Sequence, residues 1–206
     1  MNMKIQTRLY IALFLALFCQ SAYAQENKSA QSRLIDAVAS FNARDYKSAQ
    51  AALTGIVAED PTNDAACYYL GLSDFYLRDV EEAEVFLRKA VEMDSLNFWY
   101  RDRLAAFYSA IGKPDNTIEI YEGLLKDFPK KTEIYYNLVS LYAQKNDNAK
   151  VASTLENIIT VFGKTPQILT MMGDAQMSEY KDSLALKYYE EALSFEEVDL
   201  KCLEKH

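Results

Sequence analysis

The chain has 206 residues, with 22 lysines and arginines against 30 aspartates and glutamates, for a formal charge of −8. Its basic residues form no cluster, which argues against nucleic acid and anionic membrane as partners. The one histidine, His206, is the last residue, so no histidine general base or His-rich metal site can be assembled.

The first 24 residues read as a secretory signal peptide. Lys4 and Arg8 give a positive start, Leu9 to Phe18 an apolar run, and Ala22-Tyr23-Ala24 a small-x-small cleavage signal. The apolar run is far shorter than the roughly 20 residues that span a bilayer. Phe18 in front of Cys19 speaks against a lipoprotein signal. Export to the periplasm or outer cell envelope follows, with cleavage near Ala24 and a polar leader over 25–29. Cys67 and Cys202 would remain in the mature chain. Their separation along the sequence speaks against a disulfide between them, and Cys67 is expected to be a small packing residue.

Five pairs of amphipathic helices are predicted next. They are Gln31–Arg44 with Tyr46–Glu59, Ala65–Leu77 with Val80–Met93, Trp99–Ile111 with Pro114–Asp127, Glu133–Lys145 with Asn148–Val161, and Pro166–Glu179 with Ser183–Phe195. Asp79, with Glu82 three residues on, forms a capping-box-like start. Thr132 and Thr165 can accept from first-turn amides. Pro114 and Pro166 fit first-turn positions, where a missing N–H costs nothing. Asp60-Pro61 and Phe128-Pro129 close helices, because the residue before proline is driven out of the helical region. No convincing β-alternating run occurs.

The stretch Asp64 to Asn97 is one copy of a unit that recurs every thirty-four residues. Small or modest residues return at Ala37, Gly71, Ala105, Val139 and Gly173. Further series are Ala49, Ala83, Thr117, Val151, Ala185 and Ile56, Ala90, Leu124, Ile158, Ala192. Large residues return at Leu53, Leu87, Tyr121, Leu155, Tyr189, and at Leu70, Leu104, Leu138, Met172. Small residues let helices approach and large ones fill the space beside them. One pair cannot fold alone; stacked pairs share a core.

With Leu70-Gly71, Ala83, Ala90, the Asp60-Pro61 close, and Tyr135, Leu138, Tyr142, Leu155 and Ile158 at their spacings, the units resemble tetratricopeptide repeats. The resemblance covers 30–199 as five repeats, 30–63, 64–97, 98–131, 132–165 and 166–199. It implies an all-α fold, a right-handed α-α superhelical solenoid. The first repeat departs from the pattern with Asp36 at a usually apolar position, as expected of an exposed end. Residues 200–206 are left as a partial capping turn over Leu193 or the opening of a sixth repeat.

Other motifs dissolve into structure. Gly163-Lys164-Thr165 lacks the glycine a phosphate loop needs at position 158, where Ile158 stands, so Gly163 reads as a helix stop. Glu81-Glu82, Glu190-Glu191 and Glu196-Glu197 are adjacent pairs that diverge on a helix. Asp94-Ser95-Leu96 and Asp182-Ser183-Leu184 resemble an O-glycosylation signal, but turn chemistry accounts for both. No enzyme, cofactor, metal site or small-molecule substrate is expected.

The resemblance implies that first helices line a concave groove holding a partner segment. By position, its candidates are Phe41, Tyr68, Leu72, Phe75, Tyr76, Trp99, Arg103, Tyr136 and Asn137, with Leu34, Val38, Ser140, Gln144, Met171, Asp174 and Met177 beside them. Leu34 and Val38 stand where one version of the family has a carboxylate clamp, so that activity is not implied. Tyr68 and Phe75 can equally pack between neighbouring first helices, whereas Tyr76 and Trp99 suit exposure. Aromatic side chains concentrate at binding hot spots. The expected function is a non-catalytic protein-interaction scaffold of the envelope. Alternatives are the sensory or spacer arm of a larger envelope protein, and self-association through the terminal repeat.

Overall fold

A computed structural model of the protein describes residues 30–203, with side chains through 195. The expected signal, the leader and His206 lie outside the described residues. Within them the chain is all-α. Helix α1 covers 30–42. It is followed by α2 Tyr46–Glu59, α3 Asp64–Tyr76, α4 Val80–Met93, α5 Phe98–Ala110, α6 Pro114–Asp127, α7 Thr132–Gln144, α8 Asn148–Phe162, α9 Pro166–Ser178 and α10 Asp182–Leu203. The chain forms two compact units, divided between Tyr100 and Arg101. In the first, α3 packs against α2 and α4; in the second, α6 to α10 pack in sequence order.

The helix limits follow from local chemistry. Asp45, Asp79 and Asp147 accept from the backbone N–H of Ser48, Glu82 and Lys150 at the starts of α2, α4 and α8. Asn63 and Thr165 do the same at α3 and α9. These bonds satisfy amides that lack a helical partner. Thr132 does not cap α7: it is the first helical residue, Lys131 holds the cap position, and no side chain closes it. Gly163, at φ +89°, stops α8 as expected.

Each pair turns through one residue in the left-handed region, Arg44, Arg78, Gly112, Asn146 and Tyr180, at φ between +56° and +74°. The phase is again thirty-four residues, yet only one of the five is glycine.

The repeat series form the core. Ala37, Gly71, Ala105, Val139 and Gly173 are buried, as are Leu70, Leu104, Leu138 and Met172. Leu53, Leu87, Leu124, Leu155 and Ile158 are fully enclosed. Cys67 is a buried free thiol, and Asp36 is exposed. The last helix departs from expectation. It runs unbroken past Phe195 to Leu203, so 200–203 continue the second helix of the fifth pair and do not open another. No glycine or proline interrupts 196–203, and its glutamates, leucines and lysine favour helix.

Candidate functional site: the first-helix surfaces

In the first unit, α1, α3 and the start of α5 bring rings together. Phe41 meets Tyr46, Tyr69 and Tyr76 at centroid distances of 5.4, 5.4 and 5.9 Å. Tyr76 stacks on Tyr46 at 4.4 Å and 10°, with Phe75 at 5.8 Å. Tyr69 leads to Tyr68, which stacks on Tyr100 at 4.7 Å. The Tyr100 hydroxyl donates to Asp64 at 3.1 Å. Burial, together with that carboxylate, pushes its proton affinity far up, so it stays a donor.

Phe41, Tyr68, Leu72 and Phe75 are half-buried, whereas Tyr76 is 52 % and Trp99 61 % exposed. Trp99 lies edge-on to Phe98 at 5.3 Å, and Asn97 accepts from its backbone N–H. Of the two alternatives open to Tyr68, its stack on Tyr100 is the packing between neighbouring first helices. Tyr76 is different: its ring stacks on Tyr46 and is still half exposed.

Asp74, beside Phe75 in the sequence of α3, is 2 % exposed. Gln50 donates to its Oδ1 at 2.6 Å, and Oδ2 has no hydrogen-bond partner. Burial raises its proton affinity, the Gln50 bond opposes this, and Asp79 and Glu82 add to the rise.

The second unit presents cavities in place of a ring cluster. Ala106, Ser109 and Ala110 of α5 face Asn137, Ser140 and Gln144 of α7 across about 340 Å³, with Thr117 and Tyr121 also lining it. Gln144 donates to Ser140 at 3.3 Å. The Tyr121 hydroxyl donates to Asp102 at 3.4 Å. Burial and then Asp102 push its proton affinity up to about 12, while Arg103 and a hydrogen bond with Asn137 pull the other way. Arg103 and Asn137 thus converge on Tyr121, in company with an acid. Tyr136 is half-buried on α7.

A further cavity of about 200 Å³ is lined by Val139 and Ala143 of α7, Asn148, Val151 and Leu155 of α8, and Met171, Asp174, Ala175 and Ser178 of α9. A cavity of about 390 Å³ among α6, α7 and α8 holds Glu122, Lys126 and Lys150. There Tyr142 donates to Glu122 at 2.5 Å, and Lys150 also donates to Glu122 at 3.2 Å, so the charges compensate one another.

Sequence reasoning passed over Tyr46, Tyr69, Tyr100 and Gln50 as participants, and gave Tyr121 a packing role alone. Lys164 and Thr165 have structural roles: Lys164 pairs with Glu191 at 2.5 Å and Thr165 caps α9. Among the described residues no cluster of potential metal ligands occurs, and no helix is long and apolar enough to cross a membrane.

No family profile and no curated protein matches the sequence. Solved structures do match. A crystal structure of MamA protein superposes with a TM-score of 0.66 at 19 % identity, over 84 % of this chain and 94 % of that one. Pseudomonas aeruginosa pilF gives 0.57 at 17 %, over 80 % and 75 %. Naa15 in a complex of Naa15 and Naa10 bound to HypK-THB gives 0.61 at 19 %, over 82 % and 25 %. All three are tetratricopeptide-repeat proteins, and the chain shares their all-α repeat-solenoid fold.

Proposed function

We propose that this tetratricopeptide-repeat chain is a non-catalytic scaffold of the cell envelope that docks a segment of a partner protein on the first-helix surfaces of its repeats. The observation that carries the reading is Tyr76. Its ring is held by Tyr46, Phe41 and Phe75 and still half exposed. An aromatic side chain ordered before binding gives contact area at little further entropy cost. The envelope location rests on the signal-peptide pattern of residues 1–24, and an N-terminus of the exported protein at Gln25 would agree with it. The test of docking is a photoreactive residue at position 76, irradiated in native envelope. A distinct protein adduct supports docking; self-adducts alone, or none, overturn it.

A second reading, self-association through the terminal repeat, rests on α10. Leu186 and Leu193 are 56 % and 60 % exposed. The same positions one repeat earlier, Ala152 and Ile159, are half-buried. Light scattering that finds a monomer at high concentration would exclude it.

A further inference from the structure

The cavity between α7 and α9 in the second unit combines two features found together nowhere else on the first-helix surfaces described above. Val139, Val151, Leu155, Met171 and Ala175 give it apolar walls, and Asp174 is the one ionisable side chain that lines it. At about 200 Å³ it is smaller than the roughly 300–1,000 Å³ of cofactor-sized sites. It exceeds the apolar cavity of about 150 Å³ that admits benzene. Its natural occupant is therefore one side chain.

Asp174 is held in place. The Tyr189 hydroxyl donates to its Oδ1 at 2.7 Å. Tyr189 reaches α9 because residue 173 is glycine: a Cβ there would overlap the tyrosine ring. The small residue of the packing series thus brings the ring of α10 onto the helix that carries the acid. The hydroxyl occupies one carboxylate oxygen without neutralising the charge, which stays at the rim of an apolar hole. No lysine or arginine lines the cavity, and the whole chain carries −8.

Building on the docking role proposed above, we infer that this cavity is a specificity pocket for a branched aliphatic side chain that carries a positive charge beside it. The aliphatic group enters between Val139 and Met171, and the cation meets Asp174. The partner segment would therefore have a leucine-like residue next to a lysine, an arginine or a free amino terminus.

The minimal probe is leucine amide, whose isobutyl group sits beside an ammonium. It is compared with neutral N-acetyl-leucine amide and anionic N-acetyl-leucine, read by methyl NMR at Val139, Val151, Leu155 and Met171. Leucine amide should give saturable shifts, with a Kd on the order of millimolar for so small a ligand. The neutral analogue should bind about threefold more weakly and the anion weaker still, the scale of one solvent-exposed ion pair. Asp174→Asn should equalise the neutral and cationic probes while keeping the aliphatic shifts, and Tyr189→Phe should reduce the preference for the cation. Ala143→Leu, at an exposed rim position, should fill the hole and remove all three responses without unfolding the helix. Absence of saturable shifts with leucine amide overturns the pocket. Equal affinity of the three probes overturns the cation preference, and shifts that survive Ala143→Leu place binding elsewhere and overturn the site. Cross-linking at Tyr76 is read on the first unit, so an adduct there alongside a silent probe would retain docking and remove this pocket alone.

Discussion

The two units solve one packing problem with the same positions and then present different surfaces. Leu53 and Leu87 in the first unit do what Leu155 does at the same repeat position in the second. On the first helices, however, residues up to Tyr100 build a mesh of rings around Phe41. Those from Arg101 on leave a polar cavity around Asn137 and an apolar one beside Asp174. A repeat fixes what its helices bury against each other and leaves the remaining face free to vary. Recognition can therefore differ along one chain while the core does not.

The sharpest way to break that comparison is through the shared core. Leu87→Ala and Leu155→Ala, at the same repeat position and each fully enclosed, should both cost about 2–5 kcal/mol in urea unfolding, from lost transfer energy plus a cavity. If one were near neutral, the two units would not share a packing logic. Gly173→Val should follow, at about 1–3 kcal/mol, because its side chain meets the Tyr189 ring.

The buried acid separates the units on a smaller scale. Asp74 has a raised folded-state pKa, caused first by burial. The folded protein therefore holds the proton more tightly than the unfolded chain. The resulting stabilisation is complete below the unfolded pKa and is lost as pH rises through the folded one. Asp74→Asn should raise neutral-pH stability by about 1 kcal/mol, the scale of relieving a buried group that lacks a partner. It should also flatten the pH dependence seen in melting curves between acid and neutral pH. Smallest of all, Arg78→Gly should raise stability by under about 1 kcal/mol, since φ +72° strains a side chain while glycine adds unfolded-state entropy.

The packing series, the helix limits and most caps were legible in the sequence because they depend on spacing and on local chemistry. The left-handed turns were not: Arg44, Arg78, Asn146 and Tyr180 carry no glycine to announce them. α10 runs beyond the limit that the repeat period predicts, because no breaker stands between Phe195 and Leu203. At the candidate site, Tyr76 and Trp99 were correctly expected to be exposed. The partners that hold Tyr76 could not be foreseen, since Phe41 and Tyr46 reach it from other helices. Tyr121 and Tyr189 look like packing residues in the repeat pattern. Only their hydroxyl contacts with Asp102 and Asp174 give them a second role.

The most direct test of docking is an affinity capture from native envelope with the wild-type chain, Tyr76→Ala, Trp99→Ala and the control Leu96→Ala, which removes a side chain 69 % exposed in the turn between α4 and α5. A protein should be captured by wild type and Leu96→Ala, and reduced more than tenfold with Tyr76→Ala at an unchanged melting temperature. Equal capture by wild type and Tyr76→Ala would contradict it.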